Sequence, residues 1–150
     1  MSQSLARLGV HLVFSTKHRE PLITPETRPA LFAYLAGTLN ALDCPALEVG
    51  GVSDHVHLLF LLSKNIAPCR AVEEVKKESS KWAKENVHPR FYWQGGYGIF
   101  GVSASNEATV AAYIANQEQH HREMEMSYED ELRRLLTKHG TAWDERYYLD

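Results

Sequence analysis

A chain of 150 residues, 44% hydrophobic and 23% charged, holds enough apolar material for one buried core and little for a second, so a single domain over 1–150 is expected. A net charge of −3 excludes a polycation that binds nucleic acid by overall charge, so any basic surface must be local. No apolar run is long enough to cross a bilayer and the N-terminus has no signal-peptide pattern, so the expected location is cytoplasmic, with no membrane contact.

Residues 9–16, Gly-Val-His-Leu-Val-Phe-Ser-Thr, read as a strand rich in β-formers. Thr24-Pro25 is a plausible helix start, with Thr24 as N-cap and Pro25 first in the helix. Leu31, Tyr34, Leu35, Thr38, Leu39 and Leu42 then recur at helical spacing and predict one buried face. Residues 46–52 and 55–62 read as strands joined by a tight turn at Ser53-Asp54. The second is continuously apolar after its histidines, as in a central strand.

From Pro68 to about Asn86 the spacing predicts a helix with Val72, Val75, Ser79 and Trp82 on one stripe. The aromatic, glycine-rich stretch from Phe91 to Ser103 should end in a strand near Ile99–Val102. Ser105 or Asn106 can cap a third helix reaching Met124, and a fourth should run from Ser127 to Gly140. The order strand, helix, strand, strand, helix, strand, helix predicts a ferredoxin-like α+β sandwich, its sheet mainly antiparallel and its helices on one face.

Cys44 and Cys69 stand in no metal-binding spacing and are expected as reduced, packed thiols. Lys17, His18 and Arg19 form one basic cluster, and Lys76, Lys77, Lys81 and Lys84 another. The second reads first as a solvated helix face and secondarily as a phosphate contact. Glu123, Glu125, Glu129, Asp130 and Glu131 concentrate negative charge near the C-terminus.

The pattern that carries chemistry is His55-Val56-His57. On a strand, alternate side chains share a face, so both imidazoles project together and can chelate one divalent ion. The plain alternative is one histidine in the core and one at the surface. A third histidine at the next alternate position would indicate a histidine-triad hydrolase, but that position is Leu59. Tyr113 and Gln117, four apart on the third helix, share a face. Gln117 could offer a carbonyl oxygen to Mg²⁺ or Mn²⁺, and Tyr113 a hydroxyl one turn away. Tyr113 could equally be a boundary aromatic with a wet hydroxyl.

Asp54 reads as a turn residue, and His120 and His121 as exposed helical histidines, His121 being the better spare ligand or proton donor. Gly95, Gly96 and Gly98 match no phosphate-loop pattern and read as freedom for the backbone to bend, or for DNA to come close.

Together these segments resemble the single-tyrosine HUH transposases of the insertion-sequence 200/605 type, including relatives associated with repetitive extragenic palindromes. The resemblance rests on His55-Val56-His57, on Tyr113-Ile114-Ala115-Asn116-Gln117, on residues 11–17 (His-Leu-Val-Phe-Ser-Thr-Lys), on Ser79-Ser80-Lys81-Trp82, and on Trp93-Gln94-Gly95-Gly96-Tyr97-Gly98. It spans almost the whole chain.

The resemblance implies a metal-dependent nuclease and strand transferase. Tyr113 would cut single-stranded DNA through a 5′-phosphotyrosine link, leaving a free 3′-hydroxyl, and another strand's 3′-hydroxyl would reverse the step without ATP. His55, His57 and Gln117 would hold the Mg²⁺ or Mn²⁺. It also implies a homodimer with shared active sites, Tyr113 of one chain facing the histidines of the other, and contact with hairpin-forming element ends. Two rivals remain: a host nuclease of the same descent that processes repeats, and a non-catalytic nucleic-acid-binding module. The module would present base-stacking aromatics where this strand carries histidines.

Overall fold

The structure is a computed structural model that describes residues 2–150. Its strands are β1 (Gly9–Ser15), β2 (Ala46–Gly51), β3 (His55–Leu61) and β4 (Gly98–Val102). The sheet runs β2-β3-β1-β4 with every neighbouring pair antiparallel. The helices are α1 (Arg28–Ala41), α2 (Pro68–Asn86), α3 (Glu107–Ala115), α4 (Gln117–Met124) and α5 (Tyr128–Lys138). This is the expected ferredoxin-like α+β arrangement. Among the described residues no helix is long and apolar enough to cross a membrane.

Alternation along the two central strands builds two different faces. Leu12, Phe14, Val56, Leu58 and Phe60 point to one side, where they meet Leu31, Leu35 and Leu39 of α1 and Val72 and Val75 of α2. Ser79 sits buried in this core because its hydroxyl donates to Val75 O at 2.6 Å and accepts from Trp93 Nε1 at 2.9 Å. Trp82 lies at the rim, stacked on Tyr34 with ring centroids 5.3 Å apart. So α1 and α2 cover one face, as the sandwich requires.

The other face carries a second helical layer beyond the expected one. Val13 and Phe100 pack there against Tyr128, Leu132 and Leu136 of α5. Helix α3 lies across the β2–β3 side of the same face. Its backbone comes so close that a Cβ on Gly50 would collide with Ile114 O, so only glycine lets the helix settle at that depth.

Three local expectations are corrected. Helix α1 begins at Arg28, with Thr27 at the N-cap and Pro29 in the first turn. Thr24 and Pro25 belong to the preceding turn, in which the Thr24 carbonyl accepts from Thr27 N at 3.1 Å. The third helix is not continuous to Met124: Asn116, at φ −101° and ψ 21°, breaks it into α3 and α4. Cys44 is packed, but Cys69 is exposed at the start of α2. Ser127 does cap α5, its side chain accepting from Asp130 N.

Candidate active site

His55 and His57 leave β3 on the face opposite the α1–α2 core, and both are fully buried. The β1 register sets Ser15 opposite His55 and Val13 opposite His57, which brings His11 onto the same face. Each imidazole is oriented from behind. His55 Nδ1 lies 2.7 Å from Asp54 Oδ1. A carboxylate only accepts, so Nδ1 carries the hydrogen and Nε2 turns inward. Asp54 thus does more than form a turn: its carbonyl accepts from Thr16 N at 2.8 Å, and its carboxylate curls back onto the imidazole. His57 Nδ1 stands 2.8 Å from His11 Nε2.

Both inward nitrogens meet one atom, Oε1 of Glu131, each at 3.0 Å. His121 Nε2 reaches the same oxygen at 2.9 Å, its Nδ1 being held by Met126 O. The other oxygen, Oε2, accepts from Gln117 Nε2 at 3.0 Å and from the Tyr113 hydroxyl. Gln117 Oε1 lies 3.4 Å from His55 Nε2. All four residues expected to act therefore meet within one chain. In this one chain Tyr113 lies against its own His57, the ring centroids 5.7 Å apart. Only the short 3-10 turn Ala104–Asn106 links β4 to α3, and the Gly50 contact holds that helix on its own sheet.

Glu131 was not singled out in sequence, where it reads as part of an acidic run on a solvated helix. A usable signal existed: Tyr128, Glu131, Leu132 and Leu135 fall at helical spacing, so this one carboxylate interrupts an apolar stripe. His121, expected as an exposed histidine, is instead largely covered.

The charges follow from these contacts. Burial alone would raise the Glu131 carboxyl, but the charge of His57 and hydrogen bonds from His121, His55 and His57 hold it well below the usual range. Burial would lower His55, yet its bonds to Asp54 and Glu131 outweigh that and raise it to about 9. For His57 burial prevails over Glu131 and its pKa falls. His11 is lowered to about 3 by burial and by the charge of His57, so it is neutral. Burial and then the Glu131 charge push Tyr113 above the ordinary phenol value, which keeps the hydroxyl protonated.

Among the described residues two clusters have ligand-bearing atoms within 4.8 Å of one another: His55, His57 and Glu131, and His120, His121 and Glu131. Adjacent ligands of an octahedral ion, each about 2.1 Å from it, stand about 3.0 Å apart. The first cluster has that spacing between Oε1 and both imidazoles.

The other candidates are engaged elsewhere. Tyr128 lies beside His55, but its hydroxyl donates to Gln94 Oε1 at 2.8 Å. Lys76 donates to the carbonyls of Gln94 and Gly96, which ties the glycine-rich segment to α2. Lys77 and Lys81 pair with glutamates of their own helix, and Lys84 covers the Tyr92 ring. The solvated-face reading holds for these three.

Fold and comparisons agree on the class, an α+β protein of the transposase kind. A crystal structure of a transposase candidate from Deinococcus radiodurans R1 superposes with a TM-score of 0.62 at 22% identity, covering 78% of this chain and 98% of that one. A REP-associated tyrosine transposase bound to a REP hairpin superposes at 0.54 and 14% identity, covering 77% and 72%. At these identities both show a shared fold. No curated protein matches the chain. The family is shown by sequence: the chain belongs to the IS200-like transposases, whose family model matches residues 4–117.

Proposed function

We infer that this protein is a metal-dependent endonuclease and strand transferase acting on single-stranded DNA, with Tyr113 as its nucleophile. The observation that carries the reading is convergence: the Tyr113 hydroxyl and the inward nitrogens of His55 and His57 all reach one buried carboxylate, Glu131. A boundary tyrosine with a wet hydroxyl would not.

The donor set fits a hard divalent ion. Asp54 holds His55 with its Nε2 turned inward, ready to coordinate once it gives up its proton, Gln117 turns an oxygen towards that nitrogen, and Glu131 adds an anionic oxygen at octahedral spacing. His55, His57 and Gln117 would hold Mg²⁺ or Mn²⁺, with Glu131 beside them. Such an ion would supply Lewis-acid polarisation of a phosphate oxygen.

The chain's own groups do the rest. The Tyr113 oxygen forms a bond to phosphorus and only then gives up its proton along the hydrogen bond to Glu131, from where it goes on to the departing 3′-oxygen. The bond from phosphorus to the 3′-oxygen breaks, and that oxygen takes up a proton as the free hydroxyl. The product is a 5′-phosphotyrosine, and a second 3′-hydroxyl attacking it restores a phosphodiester and the tyrosine. No bond energy is lost, so none need be supplied. A cytoplasmic homodimer that contacts hairpin-forming ends completes the reading, supported by the family and by the hairpin-bound neighbour.

The test is adduct formation. With Mn²⁺ and a random-sequence pool of single-stranded oligonucleotides, the wild type should form a covalent protein–DNA species, and peptide mapping should place it on Tyr113. Tyr113→Phe should form none while keeping its fold. An adduct on Tyr97 or Tyr128, or one that persists in Tyr113→Phe, would end the assignment.

A further inference from the structure

Beside Tyr113 lies a cavity of about 310 Å³ that neither His55 nor His57 lines. Its walls are the edge of β4, helix α3 and helix α5. Val102, Val110 and Leu135 give it apolar sides, and Tyr113 and Glu131 close its inner end. Arg134 and Lys138, four apart on α5, stand at its mouth. Both are exposed, and neither has an ion-pair partner among the described residues. Arg133, their neighbour, is held by Asp130 and Glu145 instead. Two free cations thus flank an apolar recess that ends on a hydroxyl.

We propose that this cavity is a subsite for one unpaired nucleotide, the one adjoining the phosphate that Tyr113 attacks. It rests on the reading of Tyr113 as nucleophile, and the size and chemistry of the recess then choose the occupant. Its volume is at the small end of ligand sites and suits a single nucleotide. Apolar walls receive the face of a base, which stacks without regard to sequence. Arg134 and Lys138 take the backbone phosphate. A paired base cannot enter without leaving its stack, so the subsite makes the enzyme select single strands.

The probe is a thymidine trinucleotide whose central base is 2-aminopurine, titrated into the metal-free protein and followed by fluorescence. Metal and cleavage play no part, so the result is separate from that of the adduct experiment. The wild type should quench the probe. Arg134→Ala with Lys138→Ala should weaken binding about tenfold and lower the salt dependence by about one per cation removed. Thr109→Trp, an exposed α3 position on the cavity wall, should abolish quenching by filling the recess. Leu135→Trp is a second filling variant, and circular dichroism confirms the fold of each.

Equal quenching in all variants, an equal response to the same trinucleotide within a duplex, or no binding by the wild type overturns the proposal. So does a folded Thr109→Trp that still forms the Tyr113 adduct at the wild-type rate. That last result would leave the nucleophile standing and remove only the subsite.

Discussion

Replacing Glu131 by Gln keeps the volume and removes only the charge, in a side chain 1% exposed at the centre of the cluster. In the metal-free protein this carboxylate accepts hydrogen bonds from Tyr113, Gln117, His121, His55 and His57. Removing one partner of a buried charged pair costs about 3–5 kcal/mol. For a protein of this size that is a fall in Tm of about 6–20 °C. The pH dependence identifies the partner. His55 titrates near 9 when folded against an ordinary 6.5. Its contribution, about 3 kcal/mol, is fully present below pH 6.5 and is lost as pH rises through 9. His11 and His57, both lowered, act in the opposite window: their contribution is present above 6.5 and is lost as pH falls. Urea unfolding in EDTA should therefore find the wild type most stable near pH 6.5, and the alkaline decline should be much smaller in Glu131→Gln. A variant within about 0.5 kcal/mol of wild type, with the same decline from pH 6.5 to 9, would refute the central role given to Glu131.

Four further outcomes are expected. His11→Phe removes the partner of His57 Nδ1 and should weaken Mn²⁺ binding about 10–100-fold by calorimetry, with His57 otherwise intact. Mn²⁺ binding should release a proton from His55, so affinity should keep rising up to about pH 9; a plateau already at pH 7 would contradict the raised His55. Asp54→Asn should move that rise towards lower pH, because one of the two carboxylates holding the proton is gone. Mixing Tyr113→Phe with the His55→Ala, His57→Ala double variant should restore no cleavage if the site forms as it does in this one chain, where all four residues meet; recovery of activity in verified heterodimers would show that α3 exchanges between chains.

Much of this could be read from residues alone. The strand and helix order follows from periodicity, and two histidines with one apolar residue between them on a strand had to share a face. Tyr113 and Gln117 were legible as a pair from spacing, although the helix breaks between them at Asn116. What stayed hidden depends on register and on long-range packing. Alternation alone could not bring His11 to His57, because that contact needs β1 paired with β3 in one particular register. Glu131 looked like its solvated neighbours until α5 was laid on the sheet. The start of α1 moved because Thr24-Pro25 serves a turn as well as it serves a cap. How closely α3 approaches the sheet depends on Gly50, a residue with no side chain to announce the contact.

Helix α3 rests on the sheet by main chain against main chain at Gly50. The exposed residues of the helix, such as Ala108 and Ala112, can therefore be recoloured freely in a redesign without shifting the tyrosine. Position 50 has no such latitude. A single methyl group there would act as a wedge under the helix and tip the hydroxyl of Tyr113 away from the histidines. The reach of Tyr113 is thus calibrated by an atom that is missing from another strand.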